Sequence, residues 1–529
     1  MASRLSIPFV LLLVSLLLLC SNLFVFTRSV TKQTGPPSML RSQSQTPAAD
    51  PAISARNAAL EAEVLSLKSQ LSVPPPSSQY KPATSLQQQC DTDLGMGLVE
   101  KLIAEPVVVC DGGGSRITCY PVKHPWEPKR HWHCVGEGVT VDFGKVKGGR
   151  SDEKPPRGAA QYHTFEPGSV SAACTKTGRW EEVQFMPHHA AQMASFRDGV
   201  EGGGEREATP TYMLARDEDY ENAFHSSADF LNMHALYTGH SLSNGATSVI
   251  LFDRNPDGPF YEMIQEAFSK NHPLKRAGDF GTRKVTFDKL VFHLESPAGI
   301  VFPKVAGQGK ALECHDSLLY HSYRHRVLSA FDLWDVPPPR VPSLTLIVRR
   351  RTGEKNVGRI LQDEKALEST MAQCTMCESK TIDLATMTYR EQLAALRHSN
   401  VIVGVHGAGL MNIMFAAEEA VLIEIHPHYR MDRHFRNAAR MSGKHYMPVR
   451  SLEQVTCQGS SDNVPVNAAE FREALDGAVR LARSFDDGLS ECGLVCDMGI
   501  LALDAAHDDM YAKLGLVKAA KPNTKFPCH

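Results

Sequence analysis

The densest chemical signal in the chain is Val401-Ile-Val-Gly-Val-His-Gly-Ala-Gly-Leu-Met-Asn412. An apolar β-branched run ends in a histidine, and the glycines after it open into a helix. A strand–turn–helix of this kind presents unpaired N–H groups and the positive end of a helix dipole. Gly407 and Gly409 lack Cβ, so a phosphate can approach the backbone closely, with Ala408 and Leu410 completing the turn and His406 beside it. In open α/β sheets, ligands sit beyond the carboxyl ends of the strands, which is where this turn falls. A plain tight connection between strand and helix is the competing reading.

Three further groups could share that chemistry. Glu424 interrupts the apolar run Val421-Leu-Ile-Glu-Ile-His426, where a carboxylate without a partner or ligand would be costly. A ribose diol is one suitable partner; Arg430 or Arg433 is another. Arg349 and Arg350 end the strand-like stretch from Ser343 to Val348, and arginine suits bidentate phosphate contact. Strand alternation sends the two to opposite faces, so at most one reaches a ligand. A solvated basic loop is the alternative. In Tyr220-Glu-Asn-Ala-Phe-His-Ser-Ser-Ala-Asp229 the spacing predicts a helix on which Asn222, His225 and Asp229 share a polar face. A carboxylate beside an imidazole fixes its tautomer, so His225 with Asp229 makes a workable general base for a hydroxyl, supported by Tyr220 and Asn222. A surface stripe would show the same pattern. Asp217-Glu-Asp219 has the DxD form of some metal-holding loops, but no other set of hard oxygen ligands accompanies it. No divalent metal or other cofactor is expected.

The elements around these residues alternate. Strands are expected at Ser343–Val348, Val401–Val405 and Ala420–Ile425, with helices at Thr388–Ser399, after Gly407, and at Met431–Met441. Upstream, a helix from Asn222 to Tyr237 precedes a strand from Thr247 to Asp253, a helix from Pro259 to Lys270 and a strand from Lys289 to Leu294. Alternation of this kind means βαβ units and parallel sheets. Val336-Pro-Pro-Pro-Arg-Val-Pro342 is the expected hinge between two units, 90–335 and 343–515, each doubly wound, with a cleft between them. The stretch from Cys90 to Arg197 is Gly- and Cys-rich and gives no clear pattern.

With 529 residues, 42% apolar and 22% charged, the chain is of ordinary globular composition and long enough for more than one domain. A net charge of −3 gives no general pull toward nucleic acid. Residues 7–26 form an apolar run long enough to span a bilayer, which predicts a short tail at 1–6, a retained signal anchor and a non-cytosolic remainder; a cleaved signal peptide is the alternative. Twelve cysteines outside that run are compatible with disulfides, Cys374-Thr-Met-Cys377 included, and no Asn-X-Ser/Thr sequon is present. Residues 27–89 read as a flexible stem rich in Ser, Pro and Gln, with a short coiled-coil-like pattern at 57–71 that could pair two chains.

Taken together, these motifs resemble glycosyltransferase family 61. The match rests on Tyr220, Asn222, Phe224, His225 and Asp229; on Val348-Arg349-Arg350 and Glu391-Gln392; on Val403-Gly-Val-His-Gly-Ala-Gly-Leu410 and Asn412; and on Glu424-Ile425. The resemblance covers 216–446 and is weak before Val200. It implies a GT-B fold, two Rossmann-like domains with a cleft, and inverting, metal-independent transfer from a UDP-sugar. The C-terminal domain would hold the nucleotide and the N-terminal one the acceptor. In that scheme His225 with Asp229 is the base. His406, the Gly407–Gly409 amides and Arg350 stabilise the leaving diphosphate, with Arg349 and Leu410 in the same donor site, and Glu424 holds the ribose. Met411 departs from the threonine many members carry, and the C-terminal Phe-Pro-Cys-His529 is no endoplasmic-reticulum retention signal. The expected activity is transfer of xylose from UDP-xylose to the core β-mannose of N-glycans by a Golgi type II membrane protein. The alternatives are a GlcNAc or arabinosyl transferase of the same family, an endoplasmic-reticulum location, and a lectin-like scaffold.

Overall fold

The computed structural model describes residues 85–122, 131–148, 163–183, 192–216, 219–294, 314, 316–350, 358–427, 433–451 and 463–486. The expected anchor (7–26), the stem with its 57–71 pattern, Asp217, Glu218 and Arg430 lie outside the described residues. Among the described residues no helix is long and apolar enough to cross a membrane.

The strands are β1 (Val107–Gly112), β2 (Ser115–Val122), β3 (His131–Glu137), β4 (Val139–Asp142), β5 (Val170–Ala172), β6 (Thr175–Lys176), β7 (Glu205–Glu207), β8 (Thr211–Leu214), β9 (Ser248–Leu251), β10 (Lys275–Arg276), β11 (Lys284–Phe287), β12 (Leu290–Phe292), β13 (Ser343–Ile347), β14 (Glu378–Ile382), β15 (Val401–Val405), β16 (Val421–His426) and β17 (His445–Arg450). The helices used below are α1 (Ser85–Leu94), α2 (Met96–Ile103), α3 (Ala223–Gly239), α4 (Tyr261–Phe268), α5 (Leu318–Ala330), α6 (Glu364–Ala372), α7 (Tyr389–Arg397), α8 (His434–Met441) and α9 (Ala468–Asp486).

The sheet nearer the C-terminus is wholly parallel, in the order β14-β13-β15-β16-β17. Every residue of β13, β15 and β16 is buried, as expected of strands covered on both faces. By order of appearance the strands run 2-1-3-4-5, the doubly wound order whose switch point lies between the first and third strands. Here that point lies between the carboxyl ends of β13 and β15, where Arg349 and His406 follow. One face is covered by α9, whose Phe471, Leu475, Ala478 and Ala482 enter the core with Val403, Ile423 and Met447. α7 is fixed at its start by a reciprocal cap: the Glu391 N–H donates to the Thr388 hydroxyl, and the Glu391 carboxylate accepts from the Thr388 N–H.

The first half departs from expectation. Its main sheet has eight strands, β10-β9-β8-β12-β3-β2-β1-β6, and only β10, β9, β8 and β12 are mutually parallel. The rest is an antiparallel extension, and a second sheet, β5-β4-β11-β7, lies beside it. So this half is not a plain doubly wound sheet. The extension is built from a hairpin: β1 and β2 are joined by Gly112-Gly113-Gly114, all at positive φ, and a Cβ on Gly113 would stand 2.6 Å from the Ala173 carbonyl oxygen. Cys110–Cys174, Cys119–Cys134 and Cys90–Cys314 tie this half together.

α3 is the central helix. From Ser226 to Tyr237 it is buried all round, and its Phe230, Leu231 and Met233 share one apolar cluster with Leu410, Met411 and Phe415 of the later sheet's turn. The two sheets therefore meet through this helix.

Candidate functional site

β15 delivers His406 to the end of the parallel sheet. The turn after it is not the expected α-helix but a 3₁₀ helix, Ala408–Phe415. Six of its eight residues are buried, and the chain must return to β16 at Val421, which leaves no room for a longer element. Its first N–H groups, at Ala408 and Gly409, have no intrahelical acceptor, and both residues are partly exposed. The glycines also answer to packing. A Cβ on Gly407 would stand 3.1 Å from Arg349 Nη1, one on Gly409 would stand 2.9 Å from Leu384 Cδ1, and one on Gly404 would meet Leu410 Cδ2 at 2.8 Å. Leu410 is thus a core side chain beneath the turn.

Of the two arginines, Arg349 is the one at the turn. Its Nη1 also donates to the Gly358 carbonyl at 3.2 Å. Arg350 leaves toward α6, where its Nη2 lies 2.5 Å from Glu364 Oε1 on the exposed surface. The structure thus places the Arg350 side chain on Glu364, where the sequence reading expected it at the diphosphate. Alternation along the strand predicted one inward arginine, and the inward one is the earlier.

Glu424 sits fully buried on β16, next to β15 in parallel register. Its Oε1 lies 2.5 Å from His406 Nδ1, and its Oε2 accepts from the Tyr446 hydroxyl of β17 at 2.7 Å. His426, two residues on and on the same strand face, places Nε2 2.7 Å from the Tyr446 oxygen. Both carboxylate oxygens thus meet side chains of neighbouring strands, where the sequence reading expected a ribose. The facing metal-ligand atoms of His406, Glu424 and His426 lie within 4.8 Å of one another. Each also meets a hydrogen-bond partner among these three side chains and Tyr446. α8 closes over it: the Phe435 ring is 4.9 Å from the His406 ring and the His434 ring 6.2 Å, and Arg433 and Arg436 are buried on the same segment.

The pair expected on α3 is wired differently. Asn222 caps the helix, accepting the Phe224 N–H at 3.0 Å. His225 lies in the first turn and is partly exposed, and the carboxylate near it is Asp219, with Oδ2 3.7 Å from His225 Nε2. Asp229, one turn deeper, is buried and faces His293 Nε2 at 3.3 Å. The i,i+4 pairing of His225 with Asp229 is corrected: α3 is interior, so its polar face makes an internal seam, with Asn232 also donating to the Leu294 carbonyl. Tyr220 packs on the Arg216 guanidinium, 5.1 Å from its ring centroid; burial, with Glu221 beside it, pushes its hydroxyl up to about 12. Arg216 itself is buried against Asp253 and three backbone carbonyls, which anchors the approach to the helix.

The two places meet. The Phe224 ring lies tilted 4.6 Å from that of His434, which is 6.2 Å from His406, while Phe224 and His225 are 5.5 Å apart ring to ring. His225 and the 406–409 turn are thus linked through two intervening rings. The sequence reading weighed Asp219 only as part of a DxD loop and assigned no role to His426, Tyr446, His434 or Phe435. His426 alone carried a signal, since it shares a strand face with Glu424.

A glycine turn, a buried imidazole and an arginine at the switch point of a 2-1-3-4-5 sheet define a doubly wound α/β ligand-binding unit. Residues 224–423 match the family model Glycosyltransferase 61. An EGF domain-specific O-linked N-acetylglucosamine transferase of Gallus gallus is 22% identical over 254 residues, 46% of this chain and 45% of that protein. Its Drosophila melanogaster counterpart is 24% identical over 288 residues, 51% and 53% respectively. A β-1,2-xylosyltransferase of Oryza sativa subsp. japonica is 25% identical over 382 residues, 62% of this chain and 69% of that protein. The chain thus spans about half the length of the first two relatives. A solved flavodiiron core from Synechocystis aligns over 73% of this chain and 99% of its own, with a TM-score of 0.19 and 9% identity, and carries no argument.

Proposed function

We propose that the protein is an inverting glycosyltransferase of GT-B type that takes a UDP-sugar at the Arg349–His406–Gly409 turn. The observation that carries this reading is the meeting of Arg349 with Gly407 at the switch point, over a buried His406 held by Glu424. A diphosphate there would receive the N–H groups of Ala408 and Gly409 and the guanidinium of Arg349, preorganised donors where leaving-group charge develops. The acceptor hydroxyl is deprotonated by His225, backed by Asp219 rather than Asp229, as it attacks the anomeric carbon from the face opposite the diphosphate. Cationic and backbone donors do this work without a divalent metal.

The donor sugar we favour is xylose, passed to the core β-mannose of an N-glycan. The rice xylosyltransferase supports this, since its alignment extends further along both chains than those of the first two relatives. GlcNAc transfer is the second reading, supported by the N-acetylglucosamine transferases among the relatives. A type II Golgi membrane protein anchored at 7–26 fits either activity. Incubating the protein with a panel of UDP-sugars and an N-glycan acceptor, read by product mass, tests the proposal. Product with UDP-xylose alone supports it, and product with none of the donors sinks it.

A further inference from the structure

The bridge at the edge of the parallel sheet differs from the other three in ways that bear on its chemistry. In Cys374-Thr-Met-Cys377 the two cysteines are bonded to each other, between the end of α6 and the start of β14. Both are half-buried, and the two residues between them are exposed, Met376 by 61%. Cys110, Cys174, Cys119 and Cys134 are buried, and of Cys90 and Cys314 only the second is half-buried. The loop it closes is also the shortest, with a sequence separation of 3 against 15, 64 and 224. A short loop restrains the unfolded chain least, so this bond can open with the smallest loss of stability. α9 stands against the sulfurs. Its Arg472 Nη1 donates to Gln373 Oε1 at 2.8 Å, and its Arg483 Nη2 lies 3.7 Å from Cys374 Sγ and 4.0 Å from Cys377 Sγ. Among the described residues Arg483 pairs with these sulfurs and with no carboxylate. A disulfide sulfur is a weak acceptor, whereas a thiolate is an anion. Opening the bond therefore gives this guanidinium the charge partner that the oxidised pair does not supply.

We propose that Cys374–Cys377 is a thiol–disulfide exchange site that takes a dithiol as its reaction partner, with Arg483 stabilising the thiolate released. The inference stands apart from the donor-site reading above. A thiolate of the dithiol attacks one sulfur of the pair. The Cys374–Cys377 bond breaks, and its electron pair goes to the other sulfur, which leaves as a thiolate within reach of Arg483. The second sulfur of the dithiol then attacks the mixed disulfide, closes its own ring and releases the remaining cysteine. The dithiol loses two electrons and the pair gains them. Of the dithiol's two protons, one ends on the second cysteine and the other in solution while the first stays a thiolate. The exposed Thr375 and Met376 leave a way in for the attacking sulfur, and the buried bridges of the first half do not share this access. Reduction removes the covalent tie between α6 and the edge strand β14, while the Arg472–Gln373 contact still holds the end of α6 against α9.

Graded reduction of the folded full chain with dithiothreitol, trapped by iodoacetamide and read peptide by peptide by mass, tests this directly. Cys374 and Cys377 should be labelled at roughly tenfold less dithiothreitol than Cys90, Cys110, Cys119 and their partners, with the thermal transition still cooperative. Once the pair is reduced, Arg483→Gln should slow its alkylation at pH 7 by roughly five- to tenfold, because fewer of its sulfurs are thiolate. Arg483→Lys should restore most of that rate, which a merely structural role for the arginine would not require. Where Arg483→Gln lowers the melting temperature, Cys377→Ser serves instead: it leaves Cys374 alone beside the guanidinium, and that thiol should alkylate faster at pH 7 than the cysteine of an unstructured peptide. A pair that opens no sooner than the other three bridges, or only with loss of the thermal transition, would overturn the exchange site. Equal alkylation rates with and without the Arg483 guanidinium, or a Cys374 thiol no faster than the peptide's, would overturn the role of the arginine and the proposal with it.

Discussion

Each of the two main sheets ends in a buried network of tyrosine, imidazole and carboxylate, and the two are wired in opposite ways. In the first, His293 is bracketed: the Tyr212 hydroxyl lies 2.8 Å from its Nδ1 and Asp229 lies 3.3 Å from its Nε2. Burial, with Tyr237 and Asp229 nearby, holds the Tyr212 hydroxyl well above its ordinary value, so it is a donor, and His293 passes its own proton on to Asp229. Both nitrogens are committed, and the result is a cross-link between α3, β8 and β12. In the second, Tyr446 goes to the carboxylate instead, and Glu424 meets His406 at Nδ1. The same three side-chain types thus place the imidazole between tyrosine and carboxylate in one network and the carboxylate between tyrosine and imidazole in the other.

Substituting the two histidines separates these roles most sharply. His406→Ala is expected to lower transfer by about 100-fold or more, in line with removal of a preorganised donor, with only a modest change in melting temperature. His293→Ala should do the reverse. Leaving Asp229 and Tyr212 buried without their shared partner costs about 2–3 kcal/mol of stability, read by denaturant unfolding. Equal effects of the two on stability would break the comparison. Next in size, Arg349→Ala should weaken UDP binding roughly tenfold and Arg350→Ala by less than twofold, since only the first stands at the turn. Calorimetry on the two variants decides between them. Smaller again, Asp219→Asn should slow transfer by about threefold to tenfold, mainly through kcat, by loosening His225, and Asp229→Asn should act on stability rather than on kcat.

A third charged cluster, before the amino ends of β16 and β17, joins Lys444, Glu418 and Arg324 and sharpens the contrast. Lys444 is buried with Glu418, which also pairs with Arg324. Burial, with Arg324 nearby, lowers the Lys444 ammonium from 10.5 to about 8 against the pull of Glu418. Burial works against the Glu418 carboxylate, but Lys444 and Arg324 outweigh it and hold it at about 2. Between pH 8 and 10.5 the unfolded chain carries the Lys444 proton and the folded one does not, so this residue makes stability rise with pH across that window. Glu418 adds stability above its ordinary 4.5 that is lost as pH falls toward 2. Melting curves should show that Lys444→Met removes the alkaline rise while the acid loss persists in weaker form.

Much of the site was legible from local pattern. The strand at Val401–Val405 was read to the residue, because an apolar β-branched run ended by His-Gly-Ala-Gly leaves little choice. Glu424 declared itself as a carboxylate in an apolar strand, although its partners, His406 and Tyr446, come from neighbouring strands and no spacing reveals them. The α3 pair misled for a related reason. Helical spacing shows that His225 and Asp229 share a face but not that the face is interior, so the partner of Asp229 could not be foreseen in His293, 64 residues away. Alternation narrowed the arginines to one of two without choosing. The second sheet gave no signal, because its β5 and β7 are three residues long and pair with strands far along the chain.

The bridges Cys90–Cys314, Cys110–Cys174 and Cys119–Cys134 all fall in the first half, while among the described residues the parallel sheet that carries the turn has only Cys374–Cys377, closing a loop at its edge. Among the described residues, oxidation therefore bears mainly on the first half. Material made in a reducing cytosol would lose three covalent ties there and one at the edge of the parallel sheet.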